Sequence, residues 1–281
     1  MNINYQCITC ESVFVDAHKK KYFCVECGEE YEIGKNYLKT FFDKKLFNIY
    51  RKDYLLNKVL NNNGYISYQF LKESSISLPD REDVKRFRSF VQKNHYGNVI
   101  LDIGCGPMDM PGYLMLDNIN ELDIIGLDPI DSNNFNGLRL VGCSEFIPLP
   151  KRSVDTIIFA TSLDHVCNLK KTISESLRLL TESGKILVWM SDRTLSPLSR
   201  IKYWISEKFR SLKAGYPLDK YYLYDNWTVL GTPPGAVDPF HCDYESPKTI
   251  IKMFCKEGMS LLIDKRYSKN EVFLSFKKKL S

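Results

Sequence analysis

Four cysteines near the amino end stand in two matching pairs, Cys7-x2-Cys10 and Cys24-x2-Cys27, with thirteen residues between the pairs. Each short turn aims two sulfurs at one point, and two such turns complete a tetrahedral four-sulfur site, the structural geometry of zinc. A ribbon this small buries too little surface to fold alone, so metal binding is expected to drive its folding. Four sulfur ligands leave no open coordination position, which makes the metal structural. His18 sits in a charged His-Lys-Lys-Lys loop and reads as exposed, not as a ligand. A second group begins at Gly104-Cys105-Gly106-Pro107, directly after the apolar run of residues 98–103. Glycines there let the backbone turn sharply and approach a ligand, and Pro107 suits the first turn of a following helix. One strand later Asp128 closes the run Ile124-Ile125-Gly126-Leu127-Asp128, where an acid accepts hydrogen bonds from both hydroxyls of a ribose. A dinucleotide fingerprint would carry glycine where Asp109 stands. Asp109 and Asp102 are poor neighbours for phosphate, whereas Asp102 suits a cation or an amino group. The loop reads as a site for adenosine without phosphates.

Elements must hold these groups in place. Val13-Phe14-Val15 and Lys21-Tyr22-Phe23 are expected to supply the two strands of a small hairpin in the ribbon. Phe42, Leu46, Ile49, Leu56 and Leu60 share a helical face that ends at Asn61-Asn62-Asn63-Gly64, and a second helix is predicted over 80–94. From residue 98 short apolar runs alternate with helical stretches, which implies a parallel α/β sheet. The stretch 174–184 predicts a helix stopped by Gly184, followed by a buried strand over 185–190. Ser246-Pro247 opens a helix that Gly258 stops, and strands at 259–264 and 270–276 complete the sheet.

Leu-Asp-Ile-Gly-Cys-Gly-Pro (101–107), Ile-Ile-Gly-Leu-Asp-Pro (124–129), residues 144–166 with Leu163-Asp164-His165, and residues 175–190 together resemble the class I S-adenosylmethionine (SAM) methyltransferases, specifically the type 11 subgroup. The resemblance covers about residues 98–190 in order and spacing. It implies a Rossmann-like seven-stranded sheet, mostly parallel with the last strand antiparallel, with the zinc ribbon added at the amino end. It places Asp102, Gly104 and Gly106 along the methionine part of SAM, with Cys105 as spacing within the loop, and Asp128 on the ribose. Cys143 and Ser144 fall where the family flanks adenine, Cys143 replacing the usual acid. Ala160 and Thr161 end the fourth strand near the sulfonium. Asp164-His165 matches the family's Glu-His, which makes His165 a candidate base; adjacent helical residues do not face each other, so Asp164 is not expected to polarise it. Cys167 reads as a buried small side chain. Residues 240–247 resemble the family's helix-entry segment and make His241 a second candidate base.

The resulting organisation is a ribbon over 1–34, helical connecting elements over 35–96, and a methyltransferase domain over 97–281 with a lid insertion at 191–245. The 281 residues carry a net charge of +5, unevenly placed. Residues 1–33 hold three lysines against six acids, 35–93 hold thirteen basic residues against six acids, and 191–223 hold seven against three. The acidic ribbon argues against direct nucleic-acid binding. The basic remainder points to an anionic acceptor. A methyl group would pass to an O or N atom of a small-molecule or glycan-type acceptor. Alternatives are a ribosomal RNA guanine methyltransferase, whose basic face would touch RNA, and a non-catalytic protein docking partners through the ribbon. Leu198, Ile201, Ile205, Phe209 and Leu212 form an apolar stripe on a basic segment, read as a lid helix with peripheral membrane contact as the rival. No run approaches the roughly 18 apolar residues of a membrane span. The opening residues lack a secretory pattern, so a cytoplasmic setting with reduced thiols is expected.

Overall fold

The computed structural model describes residues 4–14, 20–34, 36–40, 79–129, 135–166, 168–192, 246–268 and 271–279. The helix expected over 42–60, nearly all of the lid, Cys167, His18 and His241 lie outside them. The amino-terminal strands are β1 (Tyr5–Gln6), β2 (Val13–Phe14), β3 (Lys21–Phe23), β4 (Glu30–Gly34) and β5 (Tyr37–Thr40). Then follow α1 (Glu82–Asn94), β6 (Val99–Ile103), β7 (Asp123–Asp128), β8 (Leu138–Val141), β9 (Val154–Ala160), α2 (Leu169–Leu179) and β10 (Leu180–Met190). The chain closes on α3 (Pro247–Lys256), β11 (Met259–Ser268) and β12 (Glu271–Lys278).

Ten strands form one sheet in the spatial order β11, β12, β10, β9, β6, β7, β8, β5, β4, β3. Seven of them are the expected sheet: β8, β7, β6, β9 and β10 run parallel, and β12 lies antiparallel between β10 and β11. The other three belong to the amino-terminal segment. Strand β5 pairs in parallel with β8, Tyr37 opposite Arg139 and Leu38 opposite Leu140. The Arg139 amide donates to the Asn36 carbonyl at 2.9 Å, and the Thr40 hydroxyl to the Val141 carbonyl at 3.3 Å. The segment read as the start of a helical connection therefore opens with a strand, and the edge that β8 would otherwise present is covered.

Alternation along the strands divides the core into two faces. Leu101, Ile125, Leu127, Ile157 and Phe159 pack with Ile173 of α2, Ile250 and Phe254 of α3, and Tyr5, Phe14, Tyr31 and Leu38 of the ribbon. Ile100, Ile124, Ile158, Trp189 and Phe273 face α1 through Val84, Phe87 and Phe90. Phe87 meets the rings of Trp189 and Phe273 at 5.3 and 5.0 Å, and Arg86 grips both oxygens of Glu271 at 2.8 and 3.0 Å. Asn168 caps α2 and Ser246 caps α3, each side chain accepting from the amide three residues on, with Pro247 in the first turn of α3.

Three expectations are corrected. The two ribbon segments are strands but do not pair with each other: β2 pairs with β1 and β3 with β4. No α-helix begins at Pro107; two 3₁₀ turns form before β7, at Gly112–Leu114 and Ile119–Glu121. Pro111 lies four residues after Pro107, where its ring would strike the Pro107 carbonyl and its missing N–H would break the first helical bond. The helix before β10 ends at Leu179, not Gly184, because Leu180 already pairs with Val154; the register then shifts before Lys185.

Because Leu38 is fully buried in the core shared by ribbon and domain, Leu38→Ala is expected to lower unfolding free energy by about 2–5 kcal/mol. Denaturant melts should show one transition moving as a whole; a separate ribbon transition with an unmoved main one would contradict the shared core.

Candidate active site

The sheet's period of two puts Asp102, Asp128, Arg139 and Ala160 on the face that looks toward α1, near the carboxyl ends of β6, β7, β8 and β9. The chain leaves β6 through Gly104 (φ +85) and Gly106 (φ +69), both in the left-handed region that side chains avoid. A Cβ on Gly104 would lie 2.3 Å from the Ser162 Cβ, so β6 and the end of β9 close together only over glycine. Over Gly106 no atom lies within 4 Å of a would-be Cβ, which leaves open the space a side chain would fill. The Gly104 amide donates to the Leu127 carbonyl at 2.8 Å and the Gly106 amide to Asp128 Oδ2 at 2.9 Å, tying the loop to β7.

Asp102 is wholly buried. Its Oδ2 accepts from the Tyr113 hydroxyl at 2.8 Å, while Oδ1 has no hydrogen-bond partner among the described residues. Burial pushes its carboxyl up to about 7, against the Tyr113 hydrogen bond; the Asp128 charge adds to the rise and the Arg139 charge opposes it. A buried acid with an unused oxygen fits a ligand bearing an ammonium group.

The remaining residues read from sequence are placed as follows. Cys105 is buried, its thiol held far above the usual range by burial and packed 2.7 Å from Arg139 Nη1, so it fills space and is not a nucleophile. Cys143 follows β8, half-buried. The Ser144 hydroxyl is 2.8 Å from Thr172 Oγ1 on α2 and is committed there. Ala160 is buried; Thr161 adopts φ +55, rare for a β-branched residue, with its amide bonded to the Trp189 carbonyl at 2.7 Å. His165 lies on the 3₁₀ turn Leu163–His165, and its Nε2 stands 3.5 Å from Asp164 Oδ1. The expectation that the two side chains do not meet is corrected, because that spacing argument holds for α-helices and this turn is three residues long. Sequence reasoning missed Tyr113 and Arg139. Arg139 carried a signal, a lone charge in the apolar run Leu138-Arg139-Leu140-Val141.

The second candidate site is the cysteine cluster. The four sulfurs of Cys7, Cys10, Cys24 and Cys27 lie within 4.8 Å of one another. Cys7–Cys27 and Cys10–Cys24 are each 3.4 Å apart, near the edge of about 3.8 Å that a zinc–sulfur tetrahedron demands. The two turns repeat each other. Cys7 N donates to Ser12 O and Glu11 N to Cys7 O, just as Cys24 N donates to Glu29 O and Gly28 N to Cys24 O. Glu11 and Gly28 occupy equivalent left-handed positions, φ +63 and +74. The donor set and spacing fit a zinc ion.

Residues 101–188 match the family model described as "Methyltransferase domain". An uncharacterized protein of Methanocaldococcus jannaschii is 36% identical over 100 residues, 34% of this chain and 39% of that one. A demethylmenaquinone methyltransferase of Symbiobacterium thermophilum is 23% identical over 136 residues, 43% of this chain and 54% of that one. The chain thus spans about two fifths to a little over half the length of these curated relatives. Among solved structures, the 1,6-didemethyltoxoflavin-N1-methyltransferase of Burkholderia thailandensis, with 1,6-didemethyltoxoflavin and S-adenosylhomocysteine (SAH) bound, aligns over 93% of this chain and 100% of its own. Its TM-score is 0.53 at 8% identity, a likeness of fold.

Two outcomes are expected. An ammonium-bearing ligand requires Asp102 ionised, so a carboxyl that titrates at about 7 must lose its proton on binding. SAH affinity should rise with pH between about 5.5 and 7.5, below the ligand's own ammonium; calorimetry should show proton release, and Asp102→Asn should flatten the profile. The purified chain should carry one zinc by mass spectrometry, and Cys24→Ser should lose it and lower the melting temperature of the entire fold.

Proposed function

We propose that this chain, which carries a class I methyltransferase domain, transfers a methyl group from SAM to an O or N atom of a small-molecule or glycan-type acceptor of anionic character. The observation that carries the cofactor reading is the unused Oδ1 of the buried Asp102 beneath the open Gly104–Gly106 loop. That acid would hold the ammonium of the methionine part. Asp128, at the tip of β7 and already oriented by the Gly106 amide, would hold the ribose. SAM, when bound, supplies an activated methyl that leaves a sulfonium by in-line displacement.

The protein's own task is then largely positioning. The loop and the two acids fix the donor, and Ala160 and Thr161 at the end of β9 wall the adjoining space. His165, about a quarter exposed on the turn after β9 with Asp164 Oδ1 3.5 Å from its Nε2, is suited to take a proton from a hydroxyl acceptor. A neutral amine acceptor needs no base. Zinc, held by Cys7, Cys10, Cys24 and Cys27, would be structural.

The charge pattern supports an anionic small acceptor over RNA. The ribbon, which would have to track a phosphate backbone, has six acids against three lysines, and the basic surplus lies in the rest of the chain. A ribbon serving only to dock partners is weighed down by its strand β5 being committed to β8.

Asp128→Ala should abolish SAM binding in calorimetry while leaving the fold intact by circular dichroism. Undiminished binding would remove the cofactor assignment.

A further inference from the structure

We propose that Arg139 is a positioning residue of the cofactor site, fixing the Gly104–Gly106 loop from beneath and tying it, through strand β5, to the amino-terminal ribbon. The proposal rests on the SAM-binding reading and adds a residue to it.

Arg139 is 1% exposed and among the largest buried side chains of the protein. Its Nη1 donates to the Gly106 carbonyl at 2.7 Å and stands 2.7 Å from Cys105 Sγ. The Gly106 amide meanwhile donates to Asp128 at 2.9 Å. The residue in the loop with the fewest intrinsic constraints is thus held at both its amide and its carbonyl. One guanidinium nitrogen, Nη1, thus reaches both loop residues, on a side chain that stays charged. Burying it is costly without opposite charge, and Asp102 supplies that charge. The base of the side chain is fixed equally well: in the sheet Arg139 lies between Gly126 of β7 and Tyr37 of β5, and its amide is bonded to the Asn36 carbonyl. The ribbon's last strand therefore sets where the guanidinium starts.

Arg139 also acts on Asp102 by charge. The titratable groups facing Asp102 are Tyr113 on the turn beyond the loop, Asp128 on β7, Arg139 on β8 and Cys105 in the loop. Its neighbours across the sheet, Gly126 and Ile158, carry no charge. Removing the Arg139 charge must therefore make Asp102 harder to ionise, an effect that a purely structural residue would not produce.

The test is SAH titration of the full-length chain by calorimetry across about pH 5.5 to 7.5. No binding by the unaltered protein overturns both the SAM reading and this proposal. With that binding present, Arg139→Met is expected to bind about ten- to a hundredfold more weakly, the span of a lost charge-assisted hydrogen bond, and to move the pH midpoint of binding upward. Weaker binding with an unmoved midpoint, or affinity equal to that of the unaltered protein, overturns the proposal. Should Arg139→Met fail to fold, Arg139→Gln carries the test, since it keeps a donor for the Gly106 carbonyl but not the charge. A raised midpoint there supports the role and an unchanged one overturns it.

Discussion

A carboxylate wholly buried in the sheet face that packs on α1 is the constraint from which the site follows. Asp102 occupies a position that Ile100 would continue on the same face of β6, next to the aromatic packing of α1. Ionising it there is unfavourable unless something nearby answers the charge. Tyr113 answers with a hydrogen bond, and Arg139 with its guanidinium from β8. Arg139 in turn needs a strand that holds it under the loop, and β8 is such a strand because β7 pairs with one edge and β5 with the other. One buried acid thus determines which neighbours the sheet can place around it. An oxygen left over in that arrangement is poor economy for a core and sensible for a binding site.

The ribbon stands in a different relation to the domain than a tethered module would. Tyr5, Phe14, Tyr31, Ile33 and Leu38 share a hydrophobic cluster with the strands and with α2 and α3. Polar contacts reinforce it: Gln6 donates from its amide to the Pro148 carbonyl, and Arg178 reaches the Gln6 side chain at 2.9 Å while also bonding the Ile147 and Leu149 carbonyls. The four sulfurs lie at the end of this common core, with Cys7 and Cys24 buried and Cys10 and Cys27 exposed. A metal there would organise two turns too short to stabilise themselves, and the sheet would carry that order inward.

Local patterns in the chain revealed local features. The two Cys-x2-Cys turns, the strand into Gly104, the acid at the tip of β7 and the Ser246-Pro247 helix start each depend on residues within a few positions of one another. The pairing of β5 with β8 does not; it joins residues about a hundred apart, and Tyr37–Thr40 is only four residues of weak alternation. Arg139 could be seen as an oddity in a strand but not placed, because its role comes from a loop on another element. After Pro107 a stop signal wins: Pro111 outweighs a favourable first turn. At Gly184 the reverse holds, since the strand has begun at Leu180 and the glycine ends no helix.

The parallel contact between β5 and β8 has a consequence for how the chain is made. Synthesis delivers the ribbon first, and its own pairings, β1 with β2 and β3 with β4 with β5, are all short in sequence. With a metal held by its four sulfurs, it would be able to organise while the next hundred residues are still absent. Strand β8 would then meet an edge already built, with Asn36 and Tyr37 in place to set its register. An ordering that a central sheet must otherwise search for through distant contacts begins on a template, and the piece of the protein that resembles an accessory is the first part of the scaffold.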